Sequence, residues 1–103
     1  MGGMAELRVD HQPARERYEA LIEEDGVEKS VGYIDYVTEP GALVLTHTVV
    51  SEQFSGRGFA GQLAKAVLDD ARANGNKIVP VCSYIQSYLG KHPEYADLVR
   101  EQR

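Results

Sequence analysis

The sequence predicts an α+β fold in which helices pack on a small mixed sheet, mostly antiparallel, in the order β-β-β-α-β-α. Three observations lead to this prediction. Segments of alternating apolar and polar residues, separated by turn signals, fill residues 17–50. An apolar stripe with helical spacing runs from Phe59 to Ala71, and a short apolar run, "KIVPVC", follows it. Because a helix joins the third strand to the fourth, we expect these two strands to run parallel through a right-handed crossover.

Length and composition limit the class of protein. With 103 residues, the chain is expected to form a single domain over residues 1–103, with a flexible start over residues 1–13. The net charge of -5 argues against nucleic-acid binding, which needs clustered basic residues. No apolar run approaches the roughly 18 residues of a membrane-spanning helix, and the N-terminus lacks the apolar centre of a secretory signal. The single cysteine excludes an internal disulfide and favours a reducing, cytoplasmic location.

The first three strands are predicted to form an antiparallel meander. The first lies in "RYEALIEEDG", where Tyr18, Ala20 and Ile22 alternate with outward residues and Asp25-Gly26 signals a hairpin turn. The second lies in "SVGYIDYVTEPG" and has two predicted faces. One face holds Val31, Tyr33, Asp35 and Val37, and the other holds Gly32, Ile34 and Tyr36. The third strand, 42–50, is rich in β-branched residues.

A helix of about four turns is predicted after the meander. Apolar residues recur in it at every fourth position, at Phe59, Leu63, Val67 and Ala71. In the fourth strand, Pro80 lacks an N–H group, so this strand is expected at an edge or at a break in the hydrogen-bond ladder. A short helix in "SYIQSYLG" and a helical segment in "HPEYADLVREQR" complete the predicted elements.

Small residues surround a single arginine where the long helix begins, in the sequence "SGRGFAG" of residues 55–61. A helix N-terminus exposes unpaired N–H groups with partial positive charge, and glycines remove the Cβ atoms that would keep a ligand away. With the charge of Arg57, this loop is predicted to form an anion site suited to a phosphate or diphosphate. The alternative is structural: Gly56 and Gly58 permit a tight turn, while Ala60 and Gly61 permit close helix–sheet packing.

The segments "HTVVSEQFSGRGFAGQL" and "KIVPVCSYIQSYLGKHPEY" resemble the GNAT superfamily of acetyl-CoA-dependent N-acetyltransferases, in particular its small, minimal branch. The superfamily motif, Gln/Arg-x-x-Gly-x-Gly/Ala, falls on residues 55–60, where Gly58 and Ala60 match and Ser55 departs from the pattern. The resemblance implies a GNAT-like fold with acetyl-CoA or coenzyme A as the co-substrate. It implies that the CoA diphosphate lies on the main chain of Gly56, Arg57, Gly58, Phe59, Ala60 and Gly61. It also implies that the pantetheine arm lies along residues 48–51, including Thr48 and Val50, where the third and fourth strands separate.

Cys82 follows the fourth strand and directly precedes a predicted helix. That position favours the thiolate, which is the nucleophilic form of cysteine. The resemblance implies an acetyl acceptor or nucleophile at this residue. The alternative is a buried structural cysteine, because free cysteines are among the most buried residues.

His47 and Tyr84 are two further catalytic candidates. His47 shares its spacing with Leu43, Leu45 and Val49, which predicts a hydrogen-bonded core histidine, with a catalytic base as the alternative. The resemblance implies that a tyrosine of the short helix protonates the departing CoA thiolate; for Tyr84, packing against the sheet is the alternative. Many relatives are expected to carry Glu at the position of Val49, so an acidic base is absent at that position here.

The function predicted from these residues is acetyl-CoA binding with acetyl transfer to an unidentified amine or protein acceptor, with Cys82 as a possible intermediate carrier. One alternative is a non-catalytic CoA-binding or regulatory module, and another is a thiol-redox protein that uses Cys82. The first hairpin leaves no room for helices between the first strands, so the acceptor site is expected to be short or open. Exposed strand edges are consistent with a monomer or a weak homodimer.

Overall fold

The computed structural model describes residues 7–100, which form one mixed five-stranded sheet with helices packed against it. Its elements are β1 (Arg8–Gln12), β2 (Arg17–Glu24), β3 (Val27–Glu39), β4 (Ala42–Val50), α1 (Phe59–Ala73), β5 (Lys77–Pro80) and α2 (Ser83–Lys91), with 3-10 turns at Pro13–Arg15, Glu52–Phe54 and Pro93–Leu98.

The sheet order is β1-β2-β3-β4-β5, with antiparallel pairing from β1 to β4 and parallel pairing between β4 and β5. The predicted α+β fold and its crossover through α1 are therefore confirmed. Asp25 and Gly26 both have positive φ, 54° and 76°, as the predicted hairpin turn between β2 and β3 requires.

The N-terminal prediction is wrong for residues 8–12, which form the edge strand β1 and not a flexible start. Residues 1–6 lie outside the described residues. Val9 pairs with Ala20, and His11 pairs with Tyr18 and stacks on its ring at 4.0 Å between centroids. The strand contains one aliphatic residue, so the alternation that predicted the other strands could not reveal it.

A β-bulge changes the faces predicted for β3. Ala20 pairs with Gly32 but Leu21 pairs with Ser30, so Val31 has no opposite residue and turns into the core. Val31 is fully buried with Ile34, which corrects its predicted place beside Tyr33.

A second bulge, at Thr46 in β4, moves His47 out of the predicted core. Asp35 pairs with His47 but Tyr36 pairs with Leu45, so the side chains beyond Thr46 change faces. Leu45 is buried, whereas His47 is exposed. The expectation of a core histidine is therefore wrong.

The core lies between one face of the sheet and α1. All four residues of the predicted apolar stripe are buried there: Phe59, Leu63, Val67 and Ala71. The other face of the sheet carries exposed or half-buried side chains such as Tyr33, Asp35 and His47. In residues 7–100, no helix is long and apolar enough to span a bilayer.

Candidate functional site

The sheet opens where β4 extends beyond the end of β5, its parallel neighbour. Their pairing begins with Ala42 opposite Lys77 and ends with Leu45 opposite Pro80. The N–H groups of Val81 and Cys82 both donate to the Leu45 carbonyl, at 3.1 and 3.0 Å, and the chain then enters α2. The second half of β4 therefore has no partner in β5, which leaves a wedge between β4 and α2. Pro80 lies at the end of the ladder in an edge strand, as its missing donor predicts.

Cys82 and Thr48 are in contact in this wedge, where α2 begins beside β4. The Cys82 Sγ lies 3.3 Å from the Thr48 Oγ1, and the cysteine is partly exposed at the N-cap of α2. The family resemblance implies a main-chain role for Thr48 beside a ligand, and its contact with the thiol was not predicted. The two residues are 34 positions apart, so no local pattern could have indicated it.

The surroundings of the thiol favour its charged form. Burial works to raise the pKa of Cys82, but hydrogen bonds from the Thr48 hydroxyl and from the N–H groups of Ile85 and Tyr84 outweigh it, so the pKa lies below its ordinary value. A lowered pKa increases the fraction of thiolate at neutral pH. The position predicted for Cys82, just before a helix N-terminus, is confirmed, and the thiol is chemically available.

The glycine loop follows β4 after the 3-10 turn Glu52–Phe54 and lies at the N-terminus of α1. Gly56 and Gly58 have φ of 79° and 82°, and Gly58 is the N-cap of the helix. No heavy atom lies within 4 Å of a Cβ built at either residue. Both glycines are therefore required by backbone conformation, and the space beside each is open to a ligand.

Arg57 does not present an unshared charge to the loop. Its Nη2 lies 3.6 Å from Glu24 Oε2, and its guanidinium lies 5.0 Å from the centroid of the Phe59 ring. Phe59 itself is buried, so only its main chain can contact a ligand. The carboxylate of Glu24, which sequence analysis did not single out, reduces the positive charge predicted at this loop.

The first turn of α1 meets α2 at Gly61. A Cβ built at Gly61 would lie 3.7 Å from the Tyr84 hydroxyl and 3.9 Å from Cε2 of Tyr88. The Tyr84 hydroxyl is protonated at neutral pH, as in an ordinary tyrosine, and burial raises its pKa further. Gly61 thus permits close helix–helix packing, and this packing brings Tyr84 beside the glycine loop.

The structure separates His47 from the other candidates. Its exposed ring lies on the sheet face opposite α1, with Nδ1 at 3.1 Å from Thr46 Oγ1. Val50 is partly buried and packs against the core. The structure therefore brings Thr48 to Cys82 and Tyr84 to Gly61, but it brings His47 to neither pair.

Comparisons with known proteins find relatives of this chain. A family model described as GCN5-related N-acetyl-transferase matches residues 17–98. Protein NATD1 of Xenopus tropicalis is 33% identical over 94 residues, which cover 90% of this chain and 84% of the relative. Protein NATD1 of Homo sapiens is 34% identical over 88 residues, with 84% and 75% covered. The NMR solution structure of a GCN5-like candidate N-acetyltransferase from Staphylococcus aureus has a TM-score of 0.69 and 26% sequence identity, and the match covers 97% of this chain and 94% of that one.

Proposed function

Because the chain belongs to the GCN5-related N-acetyltransferase family, we propose that it binds acetyl-CoA and transfers the acetyl group to an amine, with Cys82 as the reactive thiol. The observation that carries the proposal is the contact between Cys82 and Thr48 in the wedge beside β4. Both the wedge and the glycine loop lie at the C-terminal end of β4, so one extended ligand can reach both.

The residues at the loop fit the diphosphate of coenzyme A. A main-chain cradle needs exposed N–H groups and no side chain in front of them, and Gly56 and Gly58 have open space where a Cβ would stand. The N–H groups of Phe59, Ala60 and Gly61 belong to the first turn of α1, where a helix leaves its amides without intrahelical acceptors. In this proposal the main chain binds the diphosphate, and Arg57 contributes only what its pairing with Glu24 leaves.

The wedge fits the pantetheine arm, which is uncharged and carries amide groups. The second half of β4 includes Thr48 and Val50 and has no strand paired on its β5 side. Apart from the Thr48 N–H group, which hydrogen-bonds to Cys82, its main chain is available to an extended ligand. Bound acetyl-CoA supplies an activated acetyl group as a thioester. Every other catalytic role falls to residues of this chain.

Cys82 is proposed as the nucleophile because its surroundings stabilise the thiolate. The Thr48 hydroxyl orients the sulfur and hydrogen-bonds to its charged form. The Tyr84 hydroxyl stays protonated beside the first turn of α1, so it is proposed as the proton donor to a leaving thiolate.

His47 has a different role in this proposal, because it does not reach the thiol. It lies on the sheet face opposite α1, next to the bulge at which β4 separates from β5. An amine that enters from this face can give its proton to the imidazole and then attack the acetyl carbonyl on Cys82, which forms the acetylated amine and releases the Cys82 thiolate. The short turn at Asp25-Gly26 places no helix over this face between β2 and β3, which suits an acceptor as large as a protein side chain.

A non-catalytic CoA-binding module is the second candidate, and it is favoured by the lack of a base beside the thiol in the described part of the chain. Among the described residues, no carboxylate or imidazole hydrogen-bonds to Cys82, Thr48 or Tyr84. A protein without a base at this point would hold acetyl-CoA and release it unchanged.

Intact-mass spectrometry after incubation with acetyl-CoA distinguishes the two candidates. We expect a gain of one acetyl group that disappears in Cys82→Ala and persists in His47→Ala. The His47 variant is the matched control, since it changes a proposed base without touching the thiol. Binding of acetyl-CoA without any acetylation or hydrolysis would favour the module. Acetylation that persists in Cys82→Ala would overturn the role of the cysteine, and an absence of binding would overturn both candidates.

A further inference from the structure

The two edges of the sheet are not equivalent. Beside β5, Ile78 forms a parallel bridge with Val99, and its carbonyl accepts a hydrogen bond from the Arg100 N–H at 2.9 Å. Within residues 7–100, β1 pairs only with β2. As far as the described residues go, one side of β1 therefore presents main-chain groups without a strand partner, which are a template for another strand.

The charges of β1 alternate in a way that suits pairing with itself. Arg8 and Asp10 lie on the face opposite α1, and their side chains are 56% and 43% exposed. Val9 lies between them on the other face, where it is partly buried and packs with Leu7 against the core. The strand thus carries one cation and one anion two positions apart on the same face.

Antiparallel pairing of two identical strands has few possible registers, and the charges discriminate between them. A two-fold axis through Val9 places Arg8 of each copy opposite Asp10 of the other, which forms two ion pairs. An axis through Asp10 places the two carboxylates opposite each other, which is unfavourable. An axis between Val9 and Asp10 places Arg8 opposite His11 and Asp10 opposite Val9, so neither charge faces an opposite charge.

We propose that β1 pairs with β1 of a second copy of this chain, antiparallel and centred on Val9, so that two sheets join into one. Arg8 contacts Glu28 at 2.7 Å and lies 3.8 Å from Asp10 of its own strand, and its guanidinium has further N–H donors for Asp10 of the second copy. Val9 meets Val9 of the second copy on the helix side, which extends the apolar layer. The wedge between β4 and α2 lies near the edge of the sheet opposite β1, so pairing of β1 leaves the wedge open.

Sedimentation velocity over a range of concentrations tests this with the full chain. We expect a concentration-dependent dimer whose Kd rises roughly tenfold or more in R8D and in D10R, because each reversal turns two attractive pairs into repulsive ones. The double variant R8D/D10R should restore the wild-type Kd, because the swapped charges again face their opposites. Lys91→Glu is the matched control: it reverses a charge in α2, which packs at the β4 and β5 end of the sheet, and should leave the Kd unchanged.

Hydrogen exchange of wild-type amides provides a second measurement that needs no variant. The amides of β1 should become protected as the concentration rises through the Kd, while those of β5 should not change. A monomer at every concentration overturns the proposal. A dimer whose Kd is unchanged in both R8D and D10R also overturns the proposal. A dimer that forms without added hydrogen-exchange protection of the β1 amides overturns it as well. Because the wedge is remote, loss of dimerisation should leave acetyl-CoA binding intact, so this proposal and the proposed function fail separately.

Discussion

Replacing Gly58 by alanine should destabilise the fold through backbone strain alone. Gly58 has φ of 82°, a left-handed conformation that costs a residue with a Cβ roughly 1–2 kcal/mol. No heavy atom lies within 4 Å of the added Cβ, so no steric clash adds to this cost. We expect Gly58→Ala to lower the free energy of unfolding by about 1–2 kcal/mol, with a fall in Tm of about 4–8 °C for each kcal/mol in a domain of this size.

Gly90 provides a matched control because an added Cβ is equally free of contacts there but the backbone is not left-handed. It lies within α2 without a positive φ, and a Cβ built there also meets nothing within 4 Å. Gly90→Ala should therefore stabilise the protein by about 0.5–1 kcal/mol, since alanine restricts the unfolded chain and favours the helix. Chemical denaturation of both variants measures the two free energies. If Gly58→Ala is as stable as Gly90→Ala, the left-handed conformation of Gly58 does not strain an alanine there, and this prediction is wrong.

An asparagine at Gly58 separates stability from ligand binding. Asparagine tolerates the left-handed region, so Gly58→Asn should lose less stability than Gly58→Ala. Its larger side chain would nevertheless occupy the space in front of the helix amides. We expect the affinity for CoA, measured by calorimetric titration, to fall further in Gly58→Asn than in Gly58→Ala. If Gly58→Ala instead loses more CoA affinity than Gly58→Asn, in step with its larger loss of stability, the loop has only a structural role.

Two further predictions concern hydrogen bonds of known geometry. Thr48→Val removes a hydroxyl that favours the thiolate, so the pKa of Cys82 should rise and its alkylation at neutral pH should slow, with Thr48→Ser as the rescuing control; an unchanged pH profile of alkylation in Thr48→Val would contradict this. Hydrogen bonds from Lys65 and Tyr95 lower the pKa of Asp69, so this carboxylate stabilises the fold above its unfolded pKa of about 4, and that stability is lost as the pH falls through the lower, folded-state value. Because the side chain is about half exposed, the effect should stay below about 1 kcal/mol, and Asp69→Asn should flatten this part of the pH dependence of unfolding.

Sequence patterns predicted the elements with a strong period and failed where the period breaks. Ala42–Val50 and the stripe of α1 lie where alternation and helical spacing place them. The errors at Val31 and His47 have one cause, because each follows from a bulge that inserts a residue and reverses the faces beyond it. No propensity of Thr46 or Val31 marks such an insertion. It depends on how neighbouring strands align.

The candidate site likewise combines local features that the sequence predicted with long-range contacts that it did not predict. The positive φ of Gly58 and the N-cap position of Cys82 are local properties, and local sequence predicted a turn and a helix start at these points. The contact of Cys82 with Thr48 and that of Arg57 with Glu24 join distant parts of the chain. Such contacts depend on strand order and on the packing of α2, which no single segment encodes.

A titration of isotopically labelled protein with CoA, followed by amide NMR, tests the central claim most directly. The amides of residues 56–61 and 48–51 should shift most, while those of β1 should not move. Pantetheine without the diphosphate should bind more weakly and leave residues 56–61 unshifted, because the main chain of the loop is proposed to bind the diphosphate. Saturable CoA binding with its largest shifts elsewhere, or identical loop shifts with pantetheine, would contradict the account.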